Sequence, residues 1–177
     1  LKAEFPALLT IIAPRHPTRG KKIEKLLKKE GLKVVRRSLN QIIAADTDIY
    51  IADTLGEMGL LYRLATIVFV GGSLVPHGGQ NLREPARLHS AILHGPHIAN
   101  FNAVAEHLTA GGGAREVADK RALTKNLRTL LNNPSNAKSM ADAAFLAVNE
   151  SEKILDDVIE ALSPVLNALD GDNHAST

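Results

Sequence analysis

The sequence predicts an α/β fold, a doubly wound parallel sheet with helices packed between its strands. Three observations predict it. Short apolar runs bounded by turn residues alternate with segments of helical spacing, the pattern of strands joined by crossover helices. The runs are continuously apolar, as strands buried on both faces require. One of them, Ile67-Val68-Phe69-Val70, opens directly into a stretch from Gly71 to Ala86 that holds four glycines and the polar residues Gln80, Asn81, Arg83 and Glu84. Open sheets of this class hold ligands at the carboxyl ends of their strands.

Each element follows from its own residues. Leu8-Leu9-Thr10-Ile11-Ile12, ending at Ala13-Pro14, reads as the first strand. Ile23, Leu26 and Leu27 recur at i, i+3 and i+4, and Gly31 stands where a C′ residue belongs, which marks the first helix. Val34-Val35 is the second strand and Asp48-Ile49-Tyr50-Ile51-Ala52 the third. A helix is expected from Glu57 to Ala65, entered through Asp53-Thr54-Leu55-Gly56, before the fourth strand at Ile67 to Val70. A short helix begins near Pro85, Ala91-Ile92-Leu93-His94 is the fifth strand, and another helix runs from about Phe101 to Leu108. Two or three more helices fill Arg115 to Leu162, with Val117, Leu127, Leu130 and Leu131 on one buried stripe. Residues 1–165 are expected to form one domain, and the small polar residues of 166–177 a frayed tail. The strand and glycine turn that usually open such a domain are not visible before Leu8, so the chain reads as a piece of something longer.

Composition narrows the function. A chain of 177 residues with 45% hydrophobic content can bury one ordinary core. A net charge of +2 and an aromatic content of 3% argue against nucleic acid, whose binders concentrate basic charge and stacking rings. The absence of cysteine excludes disulfides and thiolate metal sites, and fits a reducing compartment. No apolar run approaches the roughly 18 residues of a membrane span, so the chain is expected to be soluble.

Four groups of residues are candidates for chemistry. Gly71, Gly72 and Ser73 open the glycine loop, where backbone amides can approach a ligand that side chains would hold off. Asn81 and Glu84 stand at a helix entrance, where Glu84 could accept hydrogen bonds from a ribose diol, although capping and dipole complementarity would explain it too. Arg15, after the first strand, could clamp a phosphate or be a surface arginine. The turn Asp53-Thr54-Leu55-Gly56-Glu57-Met58-Gly59 could offer amides to a ligand, and it could also cap its helix through Asp53 or Thr54 with Glu57 complementing the dipole, since the two readings are compatible. His77, His89, His94, His97 and His107 do not place a tight pair on one helical face, so no metal is expected. Lys21, Lys22, Lys25, Lys28, Lys29, Lys33, Arg36 and Arg37 make one end basic, which reads as a solvated helix face or, alternatively, as attraction to an anionic membrane.

These motifs occur in a particular order. Ala13-Pro14-Arg15-His16-Pro17, Asp53 to Gly59, Phe69-Val70-Gly71-Gly72-Ser73-Leu74, Gly78 to Ala86, and Gly95-Pro96-His97 with Asn100-Phe101 together resemble the carboxyl-terminal half of 3-deoxy-D-manno-octulosonic acid (Kdo) transferase. Gln80 stands where that family's pattern has histidine, and Leu82-Arg83 where Pro-Leu is more usual. The resemblance implies one Rossmann-like half of a GT-B glycosyltransferase, the domain that binds the donor CMP-Kdo without a metal or other cofactor. It implies that Pro14, Arg15, Gly56, Glu57, Met58, Asn81, Leu82, Arg83 and Glu84 line the CMP, with Arg15 suited to the phosphate and Glu84 to the ribose. The family transfers Kdo to a lipid A precursor in lipopolysaccharide biosynthesis, as a peripheral enzyme on the cytoplasmic face of the inner membrane. Its general base and acceptor site belong to an amino-terminal domain, so no catalytic residue is expected in this chain, which alone should be soluble and inactive. Two rivals remain: another GT-B protein that uses a UDP-sugar, and a non-catalytic nucleotide-binding module.

Overall fold

A computed structural model describes residues 1–150 and 162–163. The chain divides into two compact units, Leu1–Ala65 and Thr66–Thr177. The expected tail at 166–177 lies outside the described residues.

The first unit is built on a three-stranded parallel sheet. Its strands are β1 (Thr10–Ile12), β2 (Val34–Arg36) and β3 (Ile49–Ile51), in the order β1-β3-β2. Helix α1 (Gly20–Lys29) joins β1 to β2, and Gly31 takes a left-handed φ of 78° just past its end. Ile23 and Leu27 of this helix pack with Ile12 and Leu32 on Val34, Ile49 and Ile51, which makes the unit's core. Leu26, which shares their helical spacing, is 55% exposed, because it lies about 100° round the helix from Leu27 and away from the sheet. Helix α2 (Met58–Leu64) closes the unit.

The second unit repeats the plan. Strands β4 (Ile67–Phe69), β5 (Ala91–His94) and β6 (Ala114–Glu116) pair in parallel in that order, linked by α3 (Arg83–Arg87) and α4 (Asn102–Ala110). Helix α5 (Lys120–Asn132) follows, capped by the Asp119 carboxylate, which accepts from the Ala122 amide at 2.7 Å. A sixth helix, α6, covers 134–150. Successive side chains of a strand point to opposite faces, and β5 makes this visible. Ile92 enters one core with Leu82, Ala86, Leu108 and Ala144, while Ala91 and Leu93 enter another with Val117, Leu130 and Met140. Helices therefore cover both faces, the doubly wound arrangement that the alternation predicts, and all four residues of β5 are buried.

The turn after β4 is fastened to the turn after β5. The Ser73 hydroxyl donates to the Val70 carbonyl at 2.5 Å and accepts from the Gly95 amide at 2.7 Å, while the Ser73 carbonyl accepts from the His97 amide at 2.9 Å. The two backbones approach so closely that only glycine fits at position 95. A Cβ there would lie 2.5 Å from the Ser73 carbonyl carbon and 2.7 Å from the Leu74 nitrogen, and backbone atoms cannot rotate aside. Gly95→Ala is accordingly expected to destabilise the second unit by about 1–3 kcal/mol, the usual cost of overpacking. Urea unfolding followed by circular dichroism measures it, and an unchanged midpoint would mean that the two turns are not locked together.

Candidate functional site

In the first unit, the candidate residues occupy the loops that follow β1 and β3. Pro14 and Arg15 come directly after β1, with Arg15 exposed. The loop after β3 turns at Gly56, whose φ is 83°, and delivers Glu57 and Met58 to the start of α2. Both loops therefore lie at the carboxyl edge of the sheet, where open α/β sheets present ligand groups.

This loop is held by two arginine–carboxylate systems that bind it to the end of β2 and the segment after it. Asp53, 4% exposed, receives the Arg36 Nε at 2.7 Å, the Ser38 amide at 2.9 Å and the Ser38 hydroxyl at 2.8 Å. Burial works against its ionisation, but the Ser38 and Arg36 bonds outweigh it and hold the carboxyl below its ordinary range. Glu57 receives Arg37 in a fork, with Nε at 3.0 and 3.1 Å from its two oxygens and Nη2 at 2.9 Å. Arg37, and secondarily the Thr54 hydroxyl bonded to the same carboxylate, hold Glu57 below its ordinary value. Arg37 also donates to Asn40 Oδ1 at 3.0 Å.

These bonds settle the capping alternative. Glu57 is itself the N-cap of α2 and makes no side-chain cap bond, while Asp53 and Thr54 are committed elsewhere. The loop's carboxylates are structural members, and what the loop offers outward is the turn at Gly56 with exposed Thr54, Leu55 and Met58. Arg36 and Arg37, which the sequence places in a solvated basic end, are in fact the loop's fixings.

In the second unit, the glycine loop and α3 carry the remaining candidates. Gly78 and Gly79 have φ of 82° and 71°, and a Cβ on Gly79 would meet Ile98 Cγ2 at 2.9 Å, so the loop is closed onto the 97–100 segment. Ser73 is fully buried with its hydroxyl spent on Val70 and Gly95, which gives it a scaffolding job. Asn81 Oδ1 accepts from the Arg83 amide at 2.9 Å and shapes the entry to α3. Leu82 is 0% exposed, its side chain in the core with Ala86 and Ile92. Any ligand contact from Leu82 is thereby limited to its backbone. Arg83 borders a cavity of about 120 Å³ with Ala103, Val104, His107, Leu108 and Val148. Glu84 is exposed on the first turn of α3, and its carboxylate makes no hydrogen bond or ion pair among the described residues. Pro85 is the third residue of this five-residue helix, within the turn where its missing N–H costs no bond.

The histidines stay apart. Among the described residues no group of three or more His, Asp or Glu side chains could hold a metal ion. His94, at the carboxyl end of β5, is 2% exposed, with Nδ1 2.9 Å from the Gly95 carbonyl and no partner for Nε2 among the described residues.

The fold superimposes on the crystal structure of the C-terminal CMP-Kdo binding domain of WaaA from Acinetobacter baumannii with a TM-score of 0.78 and 30% sequence identity, covering 83% of this chain and 77% of that one. The chain belongs to the Kdo transferase family. The 3-deoxy-D-manno-octulosonic acid transferase of Haemophilus influenzae is 35% identical over 167 residues, which are 94% of this chain and 39% of that protein. The enzyme of the same name from Rickettsia typhi is 34% identical over 168 residues, covering 94% of this chain and 36% of its own length. A probable mitochondrial Kdo transferase of Arabidopsis thaliana is 36% identical over 138 residues, 76% of this chain and 31% of that protein. The chain thus spans less than two fifths of the length of these Kdo transferases. No family model matches it.

The motifs that carry the family resemblance are the loops just described. What sequence reasoning missed is the layer behind them, Arg36, Ser38 and Arg37. A signal for it exists in the adjacent arginines that directly follow the apolar pair Val34-Val35.

Proposed function

We propose that this chain is the donor-nucleotide domain of a Kdo transferase, which binds CMP-Kdo for transfer of Kdo to a lipid A precursor. The observation that carries the reading is the likeness to a CMP-Kdo binding domain over 83% of the chain. The residues proposed to contact the nucleotide are Pro14, Arg15, Gly56, Glu57 (through its backbone, since Arg37 and Thr54 hold its carboxylate), Met58, Asn81, Leu82, Arg83 and Glu84, with Gly71, Gly72 and Ser73 as loop neighbours. Arg15 serves the phosphate through its guanidinium. Glu84 serves the ribose diol, and its free, exposed carboxylate supports that role. Leu82 takes part through its backbone. No base is assigned to these residues, so transfer belongs to the full-length enzyme, which acts as a peripheral protein on the cytoplasmic face of the inner membrane. Among the described residues no helix is long and apolar enough to cross a membrane. Residues 1–165 together constitute the donor domain in this reading.

Calorimetric titration with CMP tests it, with UMP as comparator. CMP is expected to bind more tightly than UMP, and Glu84→Ala to weaken CMP binding by about 1–3 kcal/mol, the scale of a hydrogen bond to a charged group. Equal or better binding of UMP would move the chain to the UDP-sugar enzymes. Binding of neither nucleotide by a folded chain would end the donor reading for this protein.

A further inference from the structure

Helix α1 carries Lys21, Lys22, Lys25, Lys28 and Lys29, and all five are exposed. At roughly 100° per residue they fill a continuous arc of roughly 120°. Gly20, Ile23 and Leu27 form the opposite, inward side, and Leu26, 55% exposed, borders the lysines at one edge of the arc. The one acidic residue within the helix is Glu24. It flanks the other edge of the arc, bonded to Lys28 at 2.7 Å and to Arg36 at 3.4 Å. Lys21, Lys22, Lys25 and Lys29 make no ion pair among the described residues. A face that only needs solvation ordinarily mixes signs along its i,i+4 pairs; this one has a single such pair and four uncompensated charges. The imbalance is regional. Residues 1–65 hold twelve Lys and Arg against seven Asp and Glu, net +5, and residues 66–177 hold nine against twelve, net −3.

We propose that the lysine face of α1 is a contact surface for an anionic lipid bilayer. Three features select a bilayer over nucleic acid. The charges are ammonium groups, hydrated point charges suited to a diffuse field, whereas bidentate reading of nucleic-acid phosphates favours arginine. No aromatic residue occurs on α1 to stack a base. Leu26 stands beside the lysines, as in helices that lie on a membrane surface. With one exposed leucine the helix adsorbs electrostatically without deep insertion, so the contact is reversible and weakened by salt. This deepens, and rests on, the membrane setting of the function proposed above.

The test is co-sedimentation of the 177-residue chain with vesicles of phosphatidylcholine mixed with phosphatidylglycerol, and with phosphatidylcholine alone, at low and at physiological salt. The chain is expected to bind the mixed vesicles and to be released as salt rises. The variant K21Q/K22Q/K25Q/K29Q, which keeps Lys28 on Glu24 and uses a residue of similar helix propensity, is expected to bind at least a hundredfold more weakly, at roughly fivefold per lysine. Equal binding to uncharged vesicles, unchanged binding by the glutamine variant, or equally tight binding of a random DNA duplex would each overturn the proposal. The lipid and salt arms on the unmodified chain decide the matter even if the variant folds poorly. Titration with CMP in parallel separates the two readings, since loss of nucleotide binding with vesicle binding intact strikes only the donor assignment.

Discussion

Asp53→Ala is expected to lower the stability of the first unit by about 3–5 kcal/mol, the usual result of removing one member of a buried ion pair. The Asp53 side chain is fully buried, and Arg36, 14% exposed, aims at it. Without Asp53 the Arg36 guanidinium keeps only the distant Glu24 oxygen at 3.4 Å and the Ser38 hydroxyl, while the Ser38 amide loses its acceptor. Urea unfolding followed by circular dichroism measures the loss, and a change below about 1 kcal/mol would mean that the network does not hold the unit. The same pair sets an acid limit. The folded carboxyl lies below its ordinary value of 3.8, so the stability it contributes is fully present above that pH and is lost as pH falls through the lower folded value. Asp53→Asn removes that acid-side loss, and its unfolding midpoint should change less than the parent's between neutral pH and pH values below 3.8.

Leu82→Ala is expected to cost about 2–5 kcal/mol, as large-to-small changes in packed cores do. Leu82→Met, which keeps the volume, should cost less than about 1.5 kcal/mol. The pair is informative because Leu82 falls inside the motif proposed to contact the nucleotide, yet its own side chain is part of the core that joins α3 to β5. Calorimetry on the folded Leu82→Met variant should return the parental affinity for CMP, in contrast to Glu84→Ala two residues on. Loss of affinity without loss of stability would put the Leu82 side chain on the nucleotide after all.

The sequence was most legible where a single residue type answered a single physical demand. Five strands stand out as apolar runs, most plainly β5, which has a core on each face, and the glycines at 78, 79 and 95 are readable because the backbones there turn left-handed or nearly touch. Strand β6 was hidden. Only Ala114 of its three residues is buried, and Arg115 and Glu116 are the charged exposed residues that an edge strand tolerates. The expected helical span from Arg115 consequently swallowed it. The Arg36–Asp53 and Arg37–Glu57 pairs were hidden for another reason. Their members are seventeen and twenty residues apart and meet only because β2 and β3 pair in register, with Arg36 opposite Ile51. Local periodicity carries no trace of that register. Leu26 shows the converse error, since its spacing is helical but it lies at the exposed edge of the apolar stripe.

The two sheets differ in how they can be assembled. In the second, β4, β5 and β6 pair in the order in which they occur along the chain, so each strand finds its partner already in place. In the first, β3 lies between β1 and β2, and these two have no ladder bonds with each other. Neither can be hydrogen-bonded into the sheet until Ile49-Tyr50-Ile51 arrives. The first unit therefore cannot begin its sheet before its last strand is available, whereas the second can grow its sheet strand by strand.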